Sequence, residues 1–527
     1  MRKISKSMLA KQVKVHCRTD DVLAAFHAIP AEDIRELEKV LIGRVVLPTD
    51  ADYNDARQVW NPAFQDFPQI IVYCKVISDV RAALAFAVKN KLWVVTRSGS
   101  HSTAGYSVNN SMVLDTRQMD DMVVDPDRKV AYVGPGVPFK VFNSVLNDYR
   151  LHVPGGACQD VCVAGFMMGG GFGFTSREFG MNCDNVIAVT VMLWDGKLIR
   201  ATANKNPDLF WAVRGGTGNN FGILIQIKYQ LHDLYEVWGF HIQWSIEDAA
   251  KGLVELQKNY MIKSETDKLG YYAFVAYKDD KQVLLVSGLY NGPKETGCDL
   301  IQPLLDSGGT LRDHRTGGYC EINSWLYDEE YDIPVVPDNA REDKQGGYIE
   351  KTLTEEQWQE VVDYFKTTPN KYSGIAIEPY GGAINMFKNG PDGNAFIHRT
   401  ASHNFYVDVF WLSEEEQDEA VKWLNGFMDL MTEKYFTDEV YQNYPRATQT
   451  NYRWLYWKDW FNSLLFVKNK FDPTGFFHYQ QDVSAVPQDA PRDIKRDTSQ
   501  SVFDDPNIEY ETYSYPETFH NDASQKG

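Results

Sequence analysis

Three glycine-rich stretches hold the residues whose types and spacing could do chemistry. In VVTRSGSHSTAGYS (residues 94–107) a strand runs into a loop of Ser and Gly. Residues that small let backbone N–H groups converge on a pyrophosphate. His101 stands inside this loop and, taken alone, reads as a surface histidine. The second stretch, VPGGACQDVCVAGFMMGGGFGFTSREFG (153–180), carries Gly165, Gly169, Gly170, Gly171 and Gly173. Such density keeps backbone close to a partner: tight turns are one account, and a flat or charged ligand is the favoured one. Cys158 and Cys162 are spaced C-x-x-x-C, which is neither a zinc nor a thioredoxin spacing. A lone Cys158 would be a small buried hydrophobe. The third stretch, NPDLFWAVRGGTGNNFGI (206–223), repeats the signal. Gly169–Phe174 and Gly216–Phe221 both fail the dinucleotide fingerprint at its third glycine, and no Walker loop is present. A Rossmann reading is therefore unsupported.

The elements around these loops alternate between strand and helix from about residue 68 to 235. PQIIVYCKV reads as a strand, ISDVRAALAFAVKNK as an amphipathic helix, LWVVTRSG as a second strand, and MVVDPDRKVAYVGPG as a hairpin. From 236 to about 435, strands such as YYAFVAYK and KQVLLVSGLY are followed by helices such as TEEQWQEVVDYFKTT, the mixture of an α+β domain. WLYWKDWFNSLLFVKNKFDP reads as a single helix ending at a proline.

A chain of 527 residues exceeds one ordinary core, so two domains are expected. A hydrophobic share of 43% with 24% charged residues is the balance of a soluble globular protein. The formal charge of −19 argues against nucleic acid or an anionic membrane as partner, since both demand basic surface. No apolar run is long enough to span a bilayer. The seven cysteines are too scattered for a disulfide framework, and the N-terminus shows basic residues without an apolar stretch behind them. The expected location is cytoplasmic. The 11 histidines form no cluster with ligand spacing, so no metal is expected.

The segments RSGSHS, GGACQDV with its downstream glycines, and FWAVRGGTGNNFGI resemble the flavin-binding segments of berberine-bridge-enzyme-like oxidases, within the wider vanillyl-alcohol-oxidase group. EPYGG (378–382), HR (398–399), YQNYP (441–445) and LLFVKNKFDPTGFFHYQQDV (464–483) extend the resemblance, in order, over about residues 65–485. It implies a two-domain α+β fold: an N-terminal extension (1–60), an FAD-binding domain (61–235 and 440–485), a substrate domain with an antiparallel sheet and helices (236–439), and a flexible acidic tail (486–527).

The resemblance also assigns residues. His101 falls where the bicovalent members bond the flavin 8α-methyl, and Cys158 where they bond C6. Arg97, Ser98, Gly99, Ser100, Ser102, Gly156, Val161, Gly165, Ile223 and Gln481 complete the implied FAD site. Val161 matches a gate beside the flavin that admits oxygen, which favours an oxidase. Tyr444 matches the catalytic base and Glu378 the acid that assists it, with Tyr441 the alternative base. Four positions depart from the pattern: Ser100 replaces a Gly, Cys162 places a second thiol near Cys158, Phe166 replaces a frequent polar residue, and Trp460 stands where an Asn is common near the flavin. The implied reaction oxidises a hydroxyl-bearing small molecule with O2 and releases H2O2. Oxidation of a carbohydrate to a lactone is favoured over oxidative tailoring or cyclisation of a secondary metabolite, and a flavin-binding protein without activity is the remaining alternative.

Overall fold

The computed structural model describes residues 29–484 apart from 261–265, 328–335 and 391, so the acidic tail expected from 486 lies outside the described residues. The first sheet has four strands in the spatial order Arg44–Val46, Ile70–Tyr73, Met112–Asp115, Val94–Arg97. Only the first pair is antiparallel. Every residue of Ile70–Tyr73 and Met112–Asp115 is buried, as befits parallel strands covered on both faces. The helix Ile77–Asn90 makes the crossover that such strands need. Asp79 in its first turn accepts N–H groups from Ile42, Gly43 and Lys75, each at 2.9 Å. That carboxylate docks the chain ahead of the sheet, so the reading of residues 1–60 as an extension is corrected from residue 42 onward.

A second sheet of five antiparallel strands runs Met122–Asp125, Val130–Val133, Ile223–Gln230, Val186–Met192, Leu198–Ala201. The first two form the hairpin expected from sequence. The returning segment after residue 440 buries Tyr441, Tyr456, Trp457, Leu464 and Val483 in the same core as Val133, Phe142, Val189 and Tyr229. The single helix expected for its end is instead two, Tyr452–Trp457 and Phe461–Phe471, joined by a tight turn. The break falls at Lys458, whose φ of 49° leaves the helical region, and whose ammonium bonds the Asp438 carbonyl at 2.7 Å.

The third sheet is antiparallel with seven strands, in the order Thr310–Gly318, Glu236–Ser245, Lys281–Tyr290, Leu269–Lys278, Gly374–Pro379, His403–Trp411, Arg341–Ile349. Alternation along each strand sorts its faces. Ile375, Ile377, Phe405, Val407 and Val409 join Leu253, Val361, Leu424 and Phe427 of the helices Ala249–Tyr260, Glu355–Phe365 and Glu414–Lys434 in one core. The intervening residues Glu378, Asn404, Tyr406 and Asp408 turn the other way, toward the flavin-motif half of the molecule.

Arg177 staples the two halves together. It lies at the end of the glycine-rich stretch and is fully buried. Its guanidinium donates to the carbonyls of Tyr380 (3.1 Å), Thr266 (2.9 Å), Leu269 (2.8 Å) and Tyr260. Arg177→Leu removes a buried donor from four carbonyls at the seam. We expect it to cost about 3 kcal/mol, read as a lower urea midpoint.

Candidate active site

The loop Ser98–Ser102 leaves the end of Val94–Arg97 and walls a cavity of about 370 Å³. Gly156, Cys158, Val161 and Gly165 line the same cavity, as do Ile223 at the start of its strand and Tyr444 and Gln481 from the returning segment. The structure thus gathers every residue expected at the cofactor. Glu378 lies behind Tyr444 and is fully buried.

Two of those residues face the protein rather than the cavity with their polar groups. Arg97 gives its Nε to Asp115 (2.6 Å) and Nη2 to the Ala56 carbonyl (2.7 Å), with no side-chain exposure. Gln481 donates to the carbonyls of Arg446 (2.8 Å) and Gln449 (3.0 Å) and accepts from the Tyr456 hydroxyl (2.9 Å). Both line the cavity as expected, with their side-chain polar groups engaged as struts of its wall. Trp460 is corrected: its ring packs on Trp211, with centroids 5.7 Å apart, away from the cavity lining.

The glycine run proves to be mostly self-packing. A Cβ on Gly169 would strike the Asn443 side chain, one on Gly170 the Phe396 ring, and one on Gly173 the Gly155 carbonyl. Gly165 differs, since a Cβ there meets no atom within 4 Å although the residue lines the cavity. A flat ring system laid on this wall requires that position bare, and the surrounding donors suit a flavin. Ser100, in place of the family's Gly, holds φ at 65°, a conformation that costs a non-glycine residue about 1 kcal/mol. Arg117 Nη2 donates to its Oγ at 3.1 Å and the Trp60 N–H to its carbonyl at 2.9 Å, which offsets that strain.

The two cysteines differ in environment. Burial raises the Cys158 thiol, but the N–H groups of Asp160 and Val161 and the Tyr327 hydroxyl pull against it by bonding the sulfur. Cys162 Sγ is tied to the Gly136 carbonyl at 3.3 Å, and burial pushes it up to about 12. Burial holds His101 below its ordinary range, outweighing nearby Asp160, so its imidazole is neutral at neutral pH.

On the opposite wall Tyr444 donates its hydroxyl proton to Glu378 Oε1 at 2.6 Å. Asn404 Nδ2 donates to the other oxygen at 2.7 Å. Burial raises Glu378 to about 7, against the lowering effect of those two bonds and of Lys344. The alternative, Tyr441, has its oxygen occupied by the Gly171 N–H (2.8 Å) and Asn443 Nδ2 (3.0 Å) and is nearly sealed from the cavity, with 2% exposure.

Sequence reasoning missed Lys344. Its Nζ lies 4.5 Å above the Tyr406 ring and 4.8 Å above the Tyr444 ring, while bridging Asp408 (3.1 Å) and Glu342 (3.5 Å). Burial works against the ammonium, yet Asp408 and Glu342 outweigh it and hold Lys344 above its ordinary range. The period-two pattern of HNFYVDVFW and REDKQGGYI marks these polar positions as one face. Their pairing, Lys344 opposite Asp408 and Glu378 opposite Asn404, is a matter of register across distant strands.

Comparison with known proteins places this site in a family. Residues 68–202 match the model of an FAD binding domain, and residues 440–484 match that described as berberine and berberine like. The FAD-linked oxidoreductase YgaK of Bacillus subtilis is 28% identical over 84% of this chain and 97% of its own length. A carbohydrate oxidase of Microdochium nivale is 27% identical over 84% of this chain and 92% of its own. Among solved structures, the BBE-like 1 protein of Physcomitrella patens superposes with a TM-score of 0.77 at 22% identity, covering 85% of this chain and 98% of that one. The chain thus carries an FAD binding domain and a berberine-like segment, and over most of its length it is similar to FAD-linked oxidoreductases.

Proposed function

We propose that the protein is an oxidase of hydroxyl-bearing small molecules that uses O2 and releases H2O2, with FAD anchored by His101 at 8α and Cys158 at C6. The observation that carries this reading is the 2.6 Å bond from Tyr444 to buried Glu378 in the wall of the cavity that His101 and Cys158 share. Bound FAD would supply the redox chemistry, accepting hydride equivalents from the substrate carbon and passing two electrons to O2.

The chain's own residues handle the proton. A phenol with an ordinary pKa of about 10 is a poor base at neutral pH. Its proton can shift along the bond to Glu378 as Tyr444 receives one from the substrate hydroxyl, and a carboxyl near 7 suits that exchange. The Lys344 ammonium over the Tyr444 ring favours the anionic form of the pair. Val161, with a short side chain beside Cys158, leaves room for O2.

A carbohydrate oxidised at its anomeric carbon to a lactone is the favoured substrate. Tyr272, Tyr327, Tyr406 and Phe172 give the cavity flat apolar faces edged with hydroxyls, which suit sugar rings. The carbohydrate oxidase among the relatives supports the same choice.

Peroxide release across a panel of aldoses and oligosaccharides tests the reading; anaerobic flavin bleaching without peroxide in air would replace the oxidase by a dehydrogenase. Tyr444→Phe should slow flavin reduction by about 100-fold or more and leave reoxidation by O2 unchanged, as measured by stopped flow. Equal slowing of both half-reactions would point to another base.

Glu378 also predicts a stability signature. Its folded pKa lies above the unfolded value, so ionising it weakens the fold as pH rises from about 4.5, and the full penalty is present above about 7. Glu378→Gln should therefore gain about 3 kcal/mol at pH 8 and almost nothing at pH 4, while losing activity. Paired urea titrations at the two pH values measure the difference.

A further inference from the structure

Trp60 sits in the segment expected to be an extension, yet it lines the cavity. Its indole stacks on the His101 imidazole, with centroids 5.3 Å apart and planes 25° apart. Backbone and ring are each tied down. The Trp60 backbone N–H donates to the Ser100 carbonyl at 2.9 Å, fixing the main chain of Trp60 beside the residue before the histidine. The indole Nε1 donates to Glu342 Oε2 at 3.2 Å, on the far side of the seam. Asn61, next along the chain, donates to the Glu342 carbonyl at 2.8 Å and accepts its N–H at 3.3 Å. A large ring that remains 40% exposed is held against an imidazole by a strand of the other domain. Burial of apolar area alone does not account for a directed bond from the indole to a carboxylate across the seam.

We propose that Trp60 is a positioning residue for the cofactor: its indole fixes the plane of the His101 imidazole for bonding to the flavin 8α carbon, and it takes up that position only when the strand Arg341–Ile349 is docked. The inference rests on the reading that His101 carries the flavin. Bond formation joins a ring nitrogen to the 8α carbon. One hydrogen leaves each partner as a proton, and the electron pair passes through the flavin to O2, giving peroxide. An imidazole free to rotate meets that carbon less often, and a misplacement of about 1 Å costs such a reaction about 100-fold.

The test uses the full-length chain in a Cys158→Ala background, where His101 is the sole anchor. The readout is yellow colour retained by acid-precipitated protein as a function of time after FAD is added to apoprotein. Cys158→Ala alone should become fully yellow. If it releases all its flavin into the supernatant, the reading of His101 as the anchor fails, whatever Trp60 does. Adding Trp60→Ala should slow the retained colour by about 10- to 100-fold, and Trp60→Phe should restore most of the rate. Trp60→Leu fills the volume without a flat face, and it should behave like Ala; this variant decides the matter if the Ala protein does not fold. A Leu variant that links flavin as fast as Cys158→Ala alone overturns the proposal.

Discussion

A carboxylate removed from water must have both oxygens met by donors, or its burial costs several kcal/mol. Glu378 satisfies that condition only when the molecule is closed. One oxygen is met from the neighbouring strand by Asn404, 26 residues away, and the other by Tyr444 from the returning segment, 66 residues away. Neither the seven-stranded sheet nor the flavin-motif half can bury Glu378 alone. The seam between them is thus fixed by the group placed at its chemical centre, and a small opening there would expose a half-paired carboxyl.

Bonds from side chain to backbone set the rest of the frame, both across the seam and within the flavin-motif half. Asn61 grips both backbone groups of Glu342 across the seam; within the flavin-motif half, Thr103 Oγ1 donates to the Pro445 carbonyl at 2.8 Å and Asn443 Nδ2 donates to the Phe166 carbonyl at 2.8 Å. Backbone acceptors do not rotate, so each such bond sets a position more tightly than a contact between two long side chains. The His101 loop and the Tyr444 loop are joined directly through Thr103 and Pro445. The proposed anchor and the proposed base therefore share one frame.

Much of this was legible in the chain. Ser98–Ser102, Cys158 and Tyr444 stand in short motifs with fixed spacing, and the structure places them around one cavity. YYAFVAYK and KQVLLVSGLY were legible as strands, and they pair with each other in the seven-stranded sheet. What the residues could not give was register: nothing in REDKQGGYI says that Lys344 will sit opposite Asp408, 64 positions later. The glycines misled in a different way. Their density was read as room for a ligand, whereas Gly169, Gly170 and Gly173 make room for Asn443, Phe396 and the Gly155 carbonyl. Glycine reports close approach and is silent about what approaches. The split helix shows the same limit, because the turn at Lys458, where the ammonium bonds the Asp438 carbonyl, has no Gly or Pro to announce it.

Charge counting at the seam leads one step further. Lys344 stands among Glu342, Asp408 and Glu378, one cation against three carboxyls, two of them buried and Asp408 half-buried. Full ionisation would leave two uncompensated negative charges in a site of low dielectric, which such a site does not sustain. Protons are retained instead. Burial pushes the Asp408 carboxyl up, Lys344 pulls it partly back and Glu342 pushes it up again, while Glu378 is held near 7. Asp408 and Glu378 therefore both hold their protons to higher pH than exposed carboxyls do. On the proposed reading, Glu378, held near 7 and hydrogen-bonded to Tyr444, would take up a proton from a substrate hydroxyl and later return it without a large change in energy. The same shortage of cations that makes the seam costly to build keeps that carboxyl poised for the exchange.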